Sequence, residues 1–179
     1  MKIERRIPLV EEILGDWENE IGKDFAGYKN HIYRLINFCL VRSNFSDTDR
    51  EKLIIAGCFH DLGIWSNKTF DYLSPSVILA KKYLARKNLG KWIPEIETMI
   101  NFHHKFGKYE DVGHPLVEIF RKGDLVDLSS GFIKCGLPGN YIKAVKRQFP
   151  NAGFHKCLLR ISCNWILRHP FNPLPVLKW

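Results

Sequence analysis

The 179-residue chain has no run near the ~20 consecutive apolar residues that a membrane-spanning helix needs. Glu4, Arg5, Arg6, Glu11 and Glu12 interrupt its N-terminal stretch, so no signal-peptide core is expected and a cytoplasmic location is. The five cysteines, Cys39, Cys58, Cys135, Cys157 and Cys163, form an odd set with no C-x-x-C pair. That disfavours a disulfide framework and favours reduced thiols in the core. No Walker phosphate loop, G-x-G-x-x-G element or G-x-S-x-G elbow is present, which excludes the commonest nucleotide-dependent and serine-hydrolase classes. Zinc-finger spacing and an aromatic RNA-binding signature are absent too, so nucleic acid as a partner rests on charge alone.

Acidic residues stop at Asp127. Residues 128–179 hold eight Lys and Arg and no Asp or Glu, which accounts for the whole net charge of +8. Such a field favours an anionic partner, and it is equally compatible with a plain solvated face. With 45% apolar residues the chain is a normal size for one domain with a sizeable core.

Every strong hydrophobic period is helical, so the expected fold is all-α. Residues 28–42 place Ile32, Leu35, Ile36, Cys39 and Leu40 on one face, shared by His31. Ser46 with Asp49, or Thr48 with Glu51, starts a second helix that runs to His60, with Gly63 as its stop. Ser74-Pro75 supplies an N-cap and first-turn proline for a third, ended by Asn88-Leu89-Gly90. Pro94 opens a fourth, in which Ile96, Met99, Ile100 and His103 share a stripe that leaves His104 about 100° away. His114-Pro115 begins a fifth, where Asp124 and Asp127 fall on an otherwise apolar stripe. Residues 129–140 read as a loop. A last helix runs through Phe154, Cys157, Leu158, Ile161 and Trp165, and a tail with Pro170, Pro173 and Pro175 is expected to be extended.

His31, His60-Asp61, His103 and Asp124 thus point inward from four different helices. An unpaired buried carboxylate costs several kcal/mol, and coordination to a cation removes that penalty, so the set argues for a shared divalent metal. Mixed His/Asp ligation suits manganese, iron, cobalt, nickel or zinc, and magnesium also fits.

The order His31, His60-Asp61, Asp124 resembles the H…HD…D signature of the HD-domain superfamily of metal-dependent phosphohydrolases. Cys58-Phe59-His60-Asp61-Leu62-Gly63 is similar to that family's HD-bearing helix end. Ile100-Asn101-Phe102-His103-His104 is similar to its paired histidines, and Gly123-Asp124-Leu125-Val126-Asp127 to its last ligand element. The G-Y-P motif of the cyclic-dinucleotide branch is missing after the histidine pair. The resemblance covers residues 25–130 and implies an HD-type helical bundle, with residues 131–179 as a basic helical extension of a single domain. It implies metal ligation by His31, His60, Asp61 and Asp124, with Asp127 as the rival last ligand or as a carboxylate behind the ligands. It further implies hydrolysis of a small phosphate ester, nucleotides included, by metal-activated water.

In the two-metal members of the family Asp61 would be the bridge, completed by His103 and His104; if they are not ligands, one of these histidines could relay the proton to the leaving group. Arg34, one turn after His31, and Lys105, after the histidine pair, are the candidate phosphate-binding cations. Tyr141, Lys143, Lys146, Arg147, Lys156, Arg160 and Trp165 are candidates to close over a base and its phosphates. Two other functions stay open: a di-iron oxygenase or hydratase of the same type, and a non-catalytic binding module in which the metal only staples helices together.

Overall fold

A computed structural model describes residues 1–177; Lys178 and Trp179, the last two of the expected extension, lie outside the described residues. The structure is helical, with no strand among the described residues. Among the described residues no helix is long and apolar enough to cross a membrane.

The elements in order are α1 (Pro8–Gly15), α2 (Glu18–Ile21), α3 (Phe25–Leu40), α4 (Asp47–Phe59), α5 (Gly63–Ser66), α6 (Leu73–Arg86), α7 (Ile93–Phe102), α8 (Leu116–Leu128), α9 (Gly139–Gln148) and α10 (Phe154–Arg168). Helix α3 is the central rod. Eleven of its sixteen residues are buried, because α8, α4, α1, α9 and α10 all lie against it. Its closest neighbour is α8, and Gly123 permits that approach: a Cβ there would meet Cys39 Sγ at 2.5 Å and the Leu35 carbonyl at 3.2 Å. Helices α6, α7 and α8 then pack side by side in chain order.

The start of α4 follows the expected chemistry, with the Ser46 hydroxyl accepting from the Asp49 amide at 3.1 Å. Three local expectations differ from the structure. Gly63 does not stop a helix; it begins the four-residue α5 directly after His60 caps α4. A Cβ on Gly63 would lie 2.5 Å from the Tyr72 carbonyl, so this glycine serves close packing of α5 on the start of α6. Ser74 does not cap α6, which begins one residue earlier at Leu73 without a side-chain cap; the hydroxyl that serves here is Ser76 Oγ, accepting from the Gly63 amide at 3.0 Å. The segment after Pro170 is not extended: Asn172 and Leu177 amides bond the carbonyls of His169 and Leu174, forming turns that bury Val176. Of the five free cysteines, Cys39, Cys58 and Cys157 are buried, whereas Cys135 is half-buried and Cys163 exposed. Burial pushes the Cys39 thiol up to about 12, so it stays protonated and inert.

Substituting Gly63→Ala forces Tyr72 and the start of α6 to move. The expected loss is about 1–3 kcal/mol, the usual cost of overpacking, read as a lowered denaturant midpoint with an unchanged slope.

Candidate metal centre

Four helices each deliver polar side chains to one point in the core. His31 comes from the second turn of α3, His60 and Asp61 from the C-terminal end of α4, His103 and His104 from the end of α7, and Asp124 and Asp127 from the last turns of α8. All except His104 are buried; the side chain of His104 keeps 15% of its surface exposed.

The hydrogen bonds fix the tautomers. His60 Nδ1 lies 2.8 Å from the Gly57 carbonyl and His103 Nδ1 lies 2.7 Å from the Ile100 carbonyl. A carbonyl only accepts, so each Nδ1 carries a proton, and in the neutral ring, the form to which burial holds His60, Nε2 presents a lone pair. The device is the same twice: a histidine capping a helix bonds the carbonyl three residues back and turns its other nitrogen inward. His31 Nδ1 donates to Asp127 Oδ2 at 2.7 Å, with the same consequence.

The inward atoms therefore crowd together with nothing between them. His31 Nε2 and His60 Nε2, two lone pairs, are 3.1 Å apart. Asp61 Oδ2 lies 3.9 Å from the first and 3.4 Å from the second; Asp124 Oδ1 lies 3.6 and 3.8 Å from them. Ligands about 2.1 Å from a shared cation sit about 3.0 Å apart at a right angle and about 3.4 Å apart at a tetrahedral angle; the 3.1 and 3.4 Å separations around His60 Nε2 match this, and the 3.6–3.9 Å ones are wider. His31, His60 and Asp61 form one potential metal-holding group, and Asp61, His103 and His104 a second that shares Asp61. Asp61 Oδ1, His103 Nε2 and Asp124 Oδ2 are buried without a hydrogen-bond partner. Such orphaned atoms cost free energy unless something binds them. The donor set, three buried imidazoles with at least two carboxylates, fits a divalent first-row ion.

The charges agree with that fit. Three buried carboxylates, Asp61, Asp124 and Asp127, face one buried guanidinium, Arg34, leaving two uncompensated negative charges when the imidazoles are neutral. Burial pulls the His60 imidazole down to about 3, more than Asp61 raises it. Burial raises the Asp124 carboxyl to about 6 against the pull of His103 and His31. Burial acts the same way on Asp61 and Asp127, but their histidine and arginine neighbours overcome it and hold both well below the usual carboxylate range. The His104 imidazole is pushed well below its ordinary value by burial and by His103.

Asp124 and Asp127, one turn apart on α8, have different tasks. Asp124 faces both Nε2 atoms, whereas Asp127 sits behind the His31 ring and holds it in place. Arg34 explains that division. Its Nε and Nη2 both donate to Asp127, the latter at 2.8 Å, and Nη1 donates to the Phe149 and Pro150 carbonyls at 3.1 Å each. With 1% of its surface exposed, Arg34 is not the phosphate-binding cation expected from its spacing; it is a buried clamp on Asp127. Lys105 is half-buried in the turn after α7, where its carbonyl accepts from Arg121 Nη1 at 3.3 Å.

Of the C-terminal cations and aromatics, Tyr141 and Lys146 are engaged elsewhere. Tyr141 is buried, donating to the Asn37 carbonyl at 3.1 Å, and Lys146 donates to the Ser130 carbonyl at 2.8 Å. Two residues were not anticipated from sequence. Tyr72, just before α6, bonds His104 Nε2 through its hydroxyl at 2.9 Å. His155, at the start of α10, donates from Nε2 to the Asp127 carbonyl at 3.0 Å. Neither carries a periodic or motif signal; the only hint is that Tyr72 lies two residues before Ser74-Pro75. Phe154 stacks on His31 with ring centroids 4.2 Å apart and closes that side of the centre.

Asp127→Asn is expected to destabilise the fold by about 3–5 kcal/mol, since the buried Arg34 loses its counter-charge, and to weaken the divalent-metal affinity of the folded protein by about 10–100-fold, measured by calorimetric titration of metal-free protein. Glu118 ties the loop after His104 to α8: it accepts from the Tyr109 amide at 2.9 Å and pairs with Arg121, whose Nη1 reaches the Lys105 carbonyl. Burial raises its carboxyl, but these partners hold it down to about 2, against an ordinary 4.5. Its folded value lies below its unfolded one, so its contribution is complete above pH 4.5 and lost as the pH falls through about 2. Glu118→Gln should flatten the acid limb of a stability-versus-pH curve across that window. No family model, curated protein or solved structure matches the chain.

Proposed function

We propose that this chain is a metal-dependent hydrolase of a small phosphate ester, with nucleotides among its substrates. The observation that carries the reading is the pair of inward lone pairs of His31 and His60, 3.1 Å apart, with Asp61 Oδ2 and Asp124 Oδ1 within 3.9 Å of both. Those four residues would hold the ion. A bound divalent ion supplies a Lewis acid for a phosphoryl oxygen and brings the pKa of its water from 15.7 toward about 7. The resemblance to HD-domain phosphohydrolases in the H…HD…D order points to the same chemistry.

The chain's own groups serve it as follows. Phe154 and the apolar core exclude bulk water from the His31 side. Asp127 and Arg34 hold the His31 ring so that its Nε2 stays inward. His104, the histidine of the cluster with exposed surface, is kept neutral by burial and held by Tyr72; it is placed to accept a proton from the attacking water and hand it to the leaving oxygen. Lys105, two positions beyond His103, remains the candidate cation for the phosphate.

A second reading rests on the two overlapping groups that share Asp61: a dinuclear iron centre for oxygenation or hydration.

Protein loaded with manganese, cobalt, nickel or magnesium is expected to hydrolyse members of a panel of phosphomonoesters and nucleotides. Chelation should abolish turnover, and His60→Ala or Asp61→Ala should lower kcat/KM by at least about a hundredfold, the scale of a lost Lewis acid. Hydrolysis that survives both treatments overturns the proposal. Two irons per chain with oxygen-dependent turnover would select the dinuclear reading instead.

A further inference from the structure

Between α10, the C-terminal turns and the start of α6 lies a cavity of about 320 Å³. Phe70, Tyr72, Leu128, Leu158, Leu174 and Val176 supply most of its wall. Its polar lining includes His104, which also belongs to the second potential metal group, and Ser162 and His155. The recess and the candidate metal centre thus share one side chain, His104. Tyr72 joins the two as well, lining the cavity while its hydroxyl bonds His104.

We infer that the phosphate ester acted on here carries an apolar alkyl or aryl group, which sits in this cavity while its phosphate faces His104 and the metal ligands. The inference rests on the reading of the centre as a phosphoesterase. Three observations favour a small amphiphilic ligand. The volume is about twice that of an engineered 150 Å³ cavity that holds benzene, so it takes a chain or a ring pair and no folded partner. The wall is mostly aliphatic and aromatic, so a ligand gains by burying apolar atoms there. His104, which lines the cavity and belongs to the second potential metal-holding group, gives that apolar wall a polar neighbour for an anionic head group. The extension contributes Leu158, Ser162, Leu174 and Val176 to that wall.

Calorimetric titration of the full chain loaded with manganese, using methylphosphonate and octylphosphonate as inert probes, tests this. Octylphosphonate is expected to bind at least about tenfold more tightly, since two buried methylenes are together worth about that factor. Ser162→Trp, which fills the cavity from a position whose hydroxyl bonds only its own helix at Leu159, should erase the difference and leave methylphosphonate binding unchanged. Leu158→Asp should do the same, and thermal melts of both variants check the fold. Equal affinity for the two probes, or an octyl preference that survives both variants, overturns the inference while the phosphoesterase reading stands. Failure of methylphosphonate itself to bind the manganese-loaded protein overturns both.

Discussion

Inside the bundle, two imidazole nitrogens that cannot donate to each other are held 3.1 Å apart by bonds made on the far sides of their rings. Lone pairs brought this close in a core shielded from water repel, and two nearby carboxylates add negative charge. The rest of the architecture can be understood as what keeps that unfavourable arrangement in place. Gly57 and Ile100 carbonyls, Asp127 and Arg34 each remove a rotational freedom that would let a histidine turn away. A divalent cation held there would turn the same crowding into coordination.

The support reaches further than the histidines. Arg34 is anchored by the Phe149 and Pro150 carbonyls, which lie between α9 and α10, and His155 of α10 bonds the Asp127 carbonyl. Phe154 covers His31. The C-terminal segment is therefore part of the centre's scaffold as well as the carrier of the excess charge. Close approach of α3 and α8, permitted by Gly123, sets the distance between His31 and Asp124 on which the arrangement depends.

Much of this was legible along the chain, for a physical reason. A helical period marks which side chains face a core, and His31, His103, Asp124 and Asp127 fall on such stripes. A polar group on an apolar stripe has to find a partner, so the convergence of these residues follows from burial alone. The start of α4 was readable because a cap is a local interaction between neighbours. Gly63 was misread for the opposite reason: its constraint comes from Tyr72 across a turn, and local rules know glycine only as a stop signal. The turns after Pro170 were missed similarly, since burial of Val176 outweighs the extended preference of the prolines.

The sequence by itself determined the helical class, the inward-facing set of histidines and aspartates, and the placement of all excess positive charge after Asp127. Only the tertiary structure decided how the set divides its work. Periodicity says that Asp124 and Asp127 share a face; it cannot say that one oxygen meets two imidazoles while the other carboxylate stands behind His31. Spacing puts Arg34 one turn from His31, but the direction of a long flexible side chain is settled by which partner waits for it, and here that partner is a buried carboxylate on a helix 93 residues away.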